Sequence, residues 1–356
     1  MITFAVFSFV LSMVGEVKTP RMLEDEARRE KLASDPGPYS LSEIHVRMPT
    51  EGIERINAYI RLFQTEGRRR LRDGLDRGGR YLERYRRIFR KKGLPEELVY
   101  LPLIESGYVL TAVSPAQAAG IWQFIEETGR RYNLKRSAWF DRRFDPFKSA
   151  EAAASLLQNL YRTFNSWELA LAAYNAGPGT IRWAIRKNRK AGKPVNFWAL
   201  ELPEETRNYV PNFIAAVLII KTPEAYGFKK FEFQPQLVYE YLKVSPGTDL
   251  DMLASEIGIS TRTLKNLNPE LIQGVVPPGE EPYSLRVPQG LPRIVMTRLA
   301  GRRAKYRDWL VHPVAFHDTV EELASRFRAN PSMILKTNGL ETAEELFMRN
   351  LVIIPL

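Results

Sequence analysis

A single carboxylate closes an apolar run in LVYLPLIESGYV (98–109), where Glu105 follows Leu101, Leu103 and Ile104 and precedes Gly107 and Tyr108. Apolar surroundings penalise the charged form of a carboxyl and raise its pKa. A carboxyl still protonated near neutral pH can hand its proton to a leaving oxygen, worth roughly 10²–10⁴-fold in rate. A glutamate at a helix end that faces water is the alternative reading of the same residues. Two further stretches suit a sugar. SPAQAAGIWQF (114–124) joins Ser114, small residues and a glycine to Trp122 and Gln123. Small residues admit a ligand to the backbone, while an aromatic and an amide match a sugar's apolar face and its hydroxyl or acetamido groups. AAYNAGPG (172–179) places Tyr174 and Asn175 at a helix end before a glycine-rich turn. Taken singly, Trp122 and Tyr174 fit a core position better than a ligand contact.

These residues need helices to hold them, and the pattern from 51 to about 228 is helical throughout. Pro95 followed by Glu96 and Glu97 is a helix start, giving one helix over 95–106 that is loosened at Pro102. Phe147, Ala150, Ala154, Leu157, Tyr161 and Phe164 alternate steps of three and four, one face of an amphipathic helix capped by Asp145 before Pro146. Ser166 caps the next helix, which stops at Gly177-Pro178-Gly179, and another is expected from Thr180. Ahead of them an arginine-rich stretch, Arg68 to Lys92, carries Leu71, Leu75, Leu82, Tyr85 and Phe89 at helical spacing, which reads as the solvated face of a packed helix.

Beyond Phe228 the character changes. LVYEYLKV (237–244) and YSLRVP (283–288) read as short strands around two short helices. The unit recurs: Leu250, Leu253, Ala254, Ser255, Ile257, Leu264 and Asn268 match Val320, Leu323, Ala324, Ser325, Phe327, Ile334 and Asn338 at one offset throughout. Two copies of a strand–helix–helix–strand module follow from this, over 235–290 and 306–356, joined by a basic helical connector at 291–305. At the other end, residues 1–20 hold an apolar run that suits a signal peptide or anchor, and 21–50, with Pro36, Pro38 and Pro49, reads as a linker or arm.

The 356 residues carry 52 basic and 41 acidic side chains, a net charge of +11 that favours acidic or polyanionic partners. Nucleic acid is not among those expected, since no RNA-binding aromatic motif or DNA-reading helix pair is visible. The chain has no cysteine, which excludes disulfides and thiolate metal sites. His312 and His317 lack carboxylate spacing for a metal and are expected at the surface; neither a metal nor a cofactor is expected.

In this order the motifs GLPEELVYLPLIESGY, GIWQF, ALAAYNAGPG and LPEETRNYVPNF (202–213) resemble the catalytic domain of lytic murein transglycosylases of the soluble-type superfamily, related to goose-type lysozyme. The C-terminal modules resemble LysM domains. The resemblance implies a mainly α catalytic domain, lysozyme-like within an α+β superfamily, over 51–228 with a helical N-terminal extension, followed by two small α+β LysM-like modules. It makes Glu105 the sole catalytic acid/base and places Ser106, Ser114, Gln123, Tyr174, Asn175 and Tyr209 along the glycan groove. The implied reaction cleaves the β-1,4 bond between N-acetylmuramic acid and N-acetylglucosamine and closes a 1,6-anhydro ring. The implied partners are peptidoglycan strands, with N-acetylglucosamine-containing glycan at the modules and membrane association through the N-terminus. The implied location is the periplasm or cell envelope.

One carboxylate suffices for that chemistry, because the substrate's own hydroxyl replaces the water that a second carboxylate would activate. Asp141, Asp145 and Glu151 remain open as an approaching second group. A lysozyme-like hydrolase and a peptidoglycan-binding scaffold with weak turnover are the competing readings. Gln117 supports the scaffold: it stands where the family has glycine, and a positive φ there would strain the groove floor. IEETG (125–129) also replaces the family's usual turn, and no cysteine is present to accept a lipid anchor.

Overall fold

The computed structural model describes residues 39–41, 44–46, 49–137, 139–277, 282–290, 309–349 and 351–356. The chain divides into two units, one of residues up to Ile125 with Pro146–Gln236, the other of Glu126–Asp145 with Leu237–Leu356.

A small antiparallel ladder, β1 (Tyr39–Leu41) with β2 (Ile44–Val46), lies within the segment expected as a linker. The rest of the first unit is helical: α1 (Thr50–Gln64), α2 (Arg68–Lys91), α3 (Leu101–Glu105), α5 (Pro146–Phe164), α6 (Trp167–Ala176), α7 (Pro178–Lys190) and α8 (Glu204–Lys221). Helix α2 buries Leu71, Leu75, Tyr81, Leu82, Tyr85 and Phe89 as the spacing predicts. Arg69, Arg70, Arg72, Arg87 and Arg90 lie exposed, while Arg77, Arg84 and Arg86 are half-buried and reach Gly107, Phe147 and Tyr100. Two glycines on its inner face let the carboxylate-bearing segment approach. A Cβ at Gly74 would come within 2.6 Å of Leu103 Cδ1, and one at Gly78 within 2.9 Å of the Tyr108 ring.

Over 95–106 there are two elements rather than one loosened helix. A 3₁₀ turn, Glu96–Tyr100, passes into α3 at Leu101, and Pro102 lies in the first turn of α3 instead of interrupting it. Pro102 is tolerated there because first-turn amides have no intrahelical partner to lose. Ser166 caps α6 through the Leu169 amide, and Gly177 ends it at φ 83°. Helix α7 starts at Pro178, two residues before the expected Thr180, since proline is favoured in a first turn. Helix α8 packs against α1, α3 and α6, which makes it the element that closes the site.

The second unit contains both copies of the repeat. In the first, β3 (Glu240–Val244) pairs antiparallel with β4 (Tyr283–Val287) around α9 (Leu250–Ile257) and α10 (Thr261–Leu267). In the second, β5 (Trp309–Pro313) pairs with β6 (Leu351–Pro355) around α11 (Val320–Phe327) and α12 (Pro331–Asn338). The repeated asparagine does the same work twice. The Asn268 side chain bonds the Leu264 and Arg286 carbonyls and accepts the Arg286 amide; Asn338 bonds the Ile334 and Ile353 carbonyls and accepts the Ile353 amide. Each stitches the second helix of its module to the last strand. Lys336 of α12 reaches Asp249 and Asp251 of the first module, and with Lys265 it holds the Asp251 carboxyl down at about 2. The expected connector at 291–305 and the N-terminal segment 1–20 lie outside the described residues.

Residues 126–145, with the short helix α4 (Glu126–Arg131), belong to this second unit. Asp141 takes the Arg143 guanidinium in a buried ion pair, and Asp145 accepts from Arg286, whose other arm holds Glu270. Burial pushes the Glu270 carboxyl up to about 7, against the pull of Arg286. His312 is only partly exposed, since its Nε2 lies 2.9 Å from a buried carboxylate oxygen of Asp318, so the surface placement expected for it is corrected.

Candidate active site

Glu105 is the last residue of α3, a helix of five residues whose other four are buried. The helix closes abruptly. Pro102 O takes the amides of both Ser106 and Tyr108, and Gly107 and Tyr108 turn left-handed at φ 59° and 58°. For an L-residue that conformation costs about 1–2 kcal/mol. Tyr108 offsets it by burying its ring and donating its hydroxyl to Val99 O at 2.7 Å. Arg77 of α2 fixes the turn by donating Nε–H to Gly107 O at 2.8 Å.

The Glu105 carboxyl is partly buried, and the Tyr209 hydroxyl of α8 donates to its Oε1. Desolvation pushes the carboxyl up to about 7; the Tyr209 hydrogen bond opposes this, and the charge of Glu205 adds to it. Burial likewise raises the Tyr209 and Tyr174 hydroxyls well above the ordinary phenol, and the nearby Glu105 carboxylate contributes to both. A proton therefore sits between an acid near neutrality and two phenols that stay protonated.

The other residues expected at the groove hold the loop after Glu105. Ser106 donates to Ile121 O at 2.8 Å, and Tyr174 donates to Trp122 O at 2.7 Å. Gln123 reaches Gly120 O and Ala112 O, while Ser114 accepts the Ala118 amide inside a tight turn. Asn175 donates to Glu205 Oε1 at 3.2 Å and accepts from buried Thr206 at 2.8 Å. Tyr209, Tyr174 and Glu105 are thus brought together, Asn175 joins them through Glu205, and Ser106, Ser114 and Gln123 brace the loop.

Trp122 does not offer a face to a sugar. It is fully buried, with its ring stacked on Phe89 at 5.5 Å and against Tyr85 at 5.4 Å, so the ligand reading of this residue is corrected to a core one. The loop is also strained, because Gln117 and Gln123 have φ of 58° and 48°, close in sequence to Tyr108. Left-handed L-residues persist only where surroundings over-determine them, as at ligand-binding sites.

Sequence pattern alone does not single out Glu205 and Thr206, although both lie in the LPEETRNYV stretch and Glu205 stands one helical turn before Tyr209. The second carboxylate felt by Glu105 is Glu205. Of the carboxylates that the sequence leaves open as a second group, Asp141 and Asp145 are committed to arginines and Glu151 is exposed on α5.

The chain resembles known proteins in sequence. The chain is 34% identical over 263 residues to membrane-bound lytic murein transglycosylase D of Escherichia coli K12, and equally to that of strain O6:H1, covering 70% of this chain. It spans 58% of the length of those relatives. A solved structure, an inactive mutant of lytic transglycosylase Slt from Pseudomonas aeruginosa, aligns at 23% identity over 41% of this chain and 24% of that one, with a TM-score of 0.31. Among the described residues no helix is long and apolar enough to cross a membrane. The family described as Transglycosylase SLT domain matches residues 87–197, which hold Glu105, Tyr174 and Asn175, and the family described as Lytic transglycosylase MltD, LysM-like domain matches residues 239–302, the first strand–helix–helix–strand module. The chain therefore contains a Transglycosylase SLT domain over residues 87–197 followed by an MltD-type LysM-like domain over residues 239–302.

Proposed function

We propose that this chain is a peptidoglycan lytic transglycosylase with Glu105 as its single general acid/base, acting in the periplasm or cell envelope. The observation that carries the reading is the Glu105 carboxyl, pushed up to about 7 by burial with the Tyr209 hydroxyl on its Oε1. At neutral pH such a group is divided between acid and base forms, as a group that gives and retakes one proton requires.

The steps balance without water. Protonated Glu105 donates to the glycosidic oxygen as the bond to muramyl C1 breaks, and N-acetylglucosamine leaves with a free 4-hydroxyl. The resulting carboxylate, steadied by the Tyr209 hydroxyl, removes the proton from the muramyl C6 hydroxyl as its oxygen bonds to C1. A 1,6-anhydro ring forms, and Glu105 is protonated again. An intramolecular nucleophile replaces the second carboxylate of a hydrolase through proximity. Ser106, Ser114, Gln123, Tyr174 and Asn175 would line the glycan groove, and both LysM-like modules would hold N-acetylglucosamine-containing strands, raising the local substrate concentration.

Glu205 favours a second reading, because a carboxylate beside Glu105 could activate a water and make the enzyme a hydrolase. Digestion of purified sacculi followed by mass measurement of the released muropeptides separates the two. Anhydro ends, lighter by one water than reducing ends, are expected; reducing ends would establish the hydrolase. No release at all, with sacculus binding retained, would leave a scaffold, and undiminished release by Glu105→Gln would remove both enzyme readings.

A further inference from the structure

Helix α7 (Pro178–Lys190) buries Ile181, Ala184 and Asn188 and turns one continuous arc outward, formed by Arg182, Trp183, Arg186, Lys187, Arg189 and Lys190. The helix contains no acidic residue. Lys187 pairs with Glu201 at 2.6 Å, whereas among the described residues the other four cations of the arc have no ion pair. Trp183 is 55% exposed in their midst, with the Lys187 ammonium 5.5 Å from its ring centroid. The face is held firmly, because buried Asn188 donates to Pro194 O and Ala199 O and so ties the end of the helix to the loop that follows.

An exposed indole ringed by cations matches the two needs of an anionic interface, an amphipathic ring and positive charge. Indoles settle at the headgroup level of a bilayer, and each nearby lysine or arginine strengthens attachment to anionic lipid by about fivefold. The donors on this arc are all cationic or indole N–H, and the arc carries no carboxylate or amide oxygen to accept a hydrogen bond. Phosphate oxygens of an anionic headgroup carry negative charge and accept charge-assisted hydrogen bonds from such an all-donor, all-cationic arc, whereas neutral sugar hydroxyls form only weaker ones. The arc is also convex, about 20 Å long for 13 residues, and not a groove that could enclose a sugar chain.

We propose that α7 is a docking face for an anionic phospholipid surface, with Trp183 entering the headgroup layer and Arg182, Arg186, Arg189 and Lys190 meeting lipid phosphates. This attachment is separate from the N-terminal segment and from the groove, and it needs no turnover.

The test is co-sedimentation of the full chain with phosphatidylcholine vesicles, with phosphatidylcholine–phosphatidylglycerol vesicles, and with purified sacculi, at physiological ionic strength. The full chain is expected to sediment with the mixed vesicles in preference to the neutral ones. Arg182→Glu with Arg186→Glu should lower that binding tenfold or more. Trp183→Ser should lower it severalfold while leaving its salt dependence intact. Arg69→Glu with Arg72→Glu, the same charge change on exposed arginines of α2, should leave most of the binding. Circular dichroism on each variant checks that the helices persist. Equal losses from the α7 and α2 pairs would reduce the effect to net charge and overturn the proposal, as would equal binding to neutral and mixed vesicles. Loss of sacculus binding by the α7 pair with vesicle binding intact would assign the face to the wall instead.

Discussion

The Tyr209 hydroxyl donates a hydrogen bond to Oε1 of Glu105 across 104 residues of sequence. It joins the last residue of one short helix to the second turn of the helix that crosses it. The bond favours the carboxylate form of Glu105, burial favours the acid form, and burial dominates, so the group titrates at about 7.

Removing that donor should move the balance further toward the acid. Tyr209→Phe is expected to raise the pKa of Glu105 and to shift the alkaline limb of the rate–pH profile to higher pH. A hydrogen bond to a charged group is worth about 1.5–3 kcal/mol, so the maximal rate should fall roughly ten- to hundredfold as the carboxylate step loses support. Initial rates of muropeptide release across pH measure both. A rate within twofold of wild type would leave Tyr209 a bystander.

Glu205 pushes Glu105 the other way, and its removal should have the opposite sign. Glu205→Gln keeps an acceptor for Asn175 but removes the charge that raises Glu105. The alkaline limb should move to lower pH by a fraction of a unit, with little change in the rate at acid pH. If the reaction is instead hydrolysis with Glu205 as base, activity collapses at every pH.

A raised carboxyl pKa also makes stability depend on pH. Between its ordinary value of 4.5 and about 7, folded Glu105 keeps a proton that the unfolded chain has released. Its contribution is therefore intact below pH 4.5 and is lost as pH rises through 7. Glu105→Gln, which cannot ionise, should leave stability near wild type at pH 4 and raise it by up to about 3 kcal/mol at pH 8. Urea unfolding of both proteins at the two pH values provides the comparison. An equal effect at both would mean that the carboxyl is not desolvated.

Asn268 and Asn338 make equivalent sets of three bonds in the two modules and should fail equally. Either one changed to Ala leaves strand and helix groups unsatisfied in a buried place, at about 2–3 kcal/mol. Hydrogen exchange at the Arg286 amide in Asn268→Ala, and at the Ile353 amide in Asn338→Ala, should speed up by roughly 30- to 100-fold. A large effect in one module alone would break the equivalence of the copies.

Gln117 holds φ at 58°, where glycine carries no steric penalty. Gln117→Gly should gain about 1 kcal/mol, the relief of a left-handed L-residue less the extra freedom of an unfolded glycine. Thermal unfolding reads the gain. A loss would show that the Gln117 side chain contributes more than its backbone strain costs.

Much of this molecule is written in local pattern. The three–four spacing from Phe147 to Phe164 fixes which face of α5 is buried, and the constant offset between Leu250–Asn268 and Val320–Asn338 gives two modules of one design. The apolar run before Glu105 announces a carboxyl that water reaches poorly, because the neighbours in sequence are also its neighbours on one short helix. Periodicity reports that a face is covered, though, and is silent on what covers it. Trp122 taken alone reads as core and beside Gln123 as a sugar platform, and the packing of Phe89 and Tyr85 on its ring decides for the core. Glu205 acts on Glu105 because α8 crosses α3, and residues 126–145 join the second unit through contacts remote in sequence: Arg286 on Asp145, the Asp141 amide on Glu270 O, and Phe140 against the first module's core. Burial along an element is a property of neighbouring residues and so can be read from the chain. The field at a carboxyl depends on charges that are brought near from anywhere in it, and only the tertiary structure decides which ones arrive.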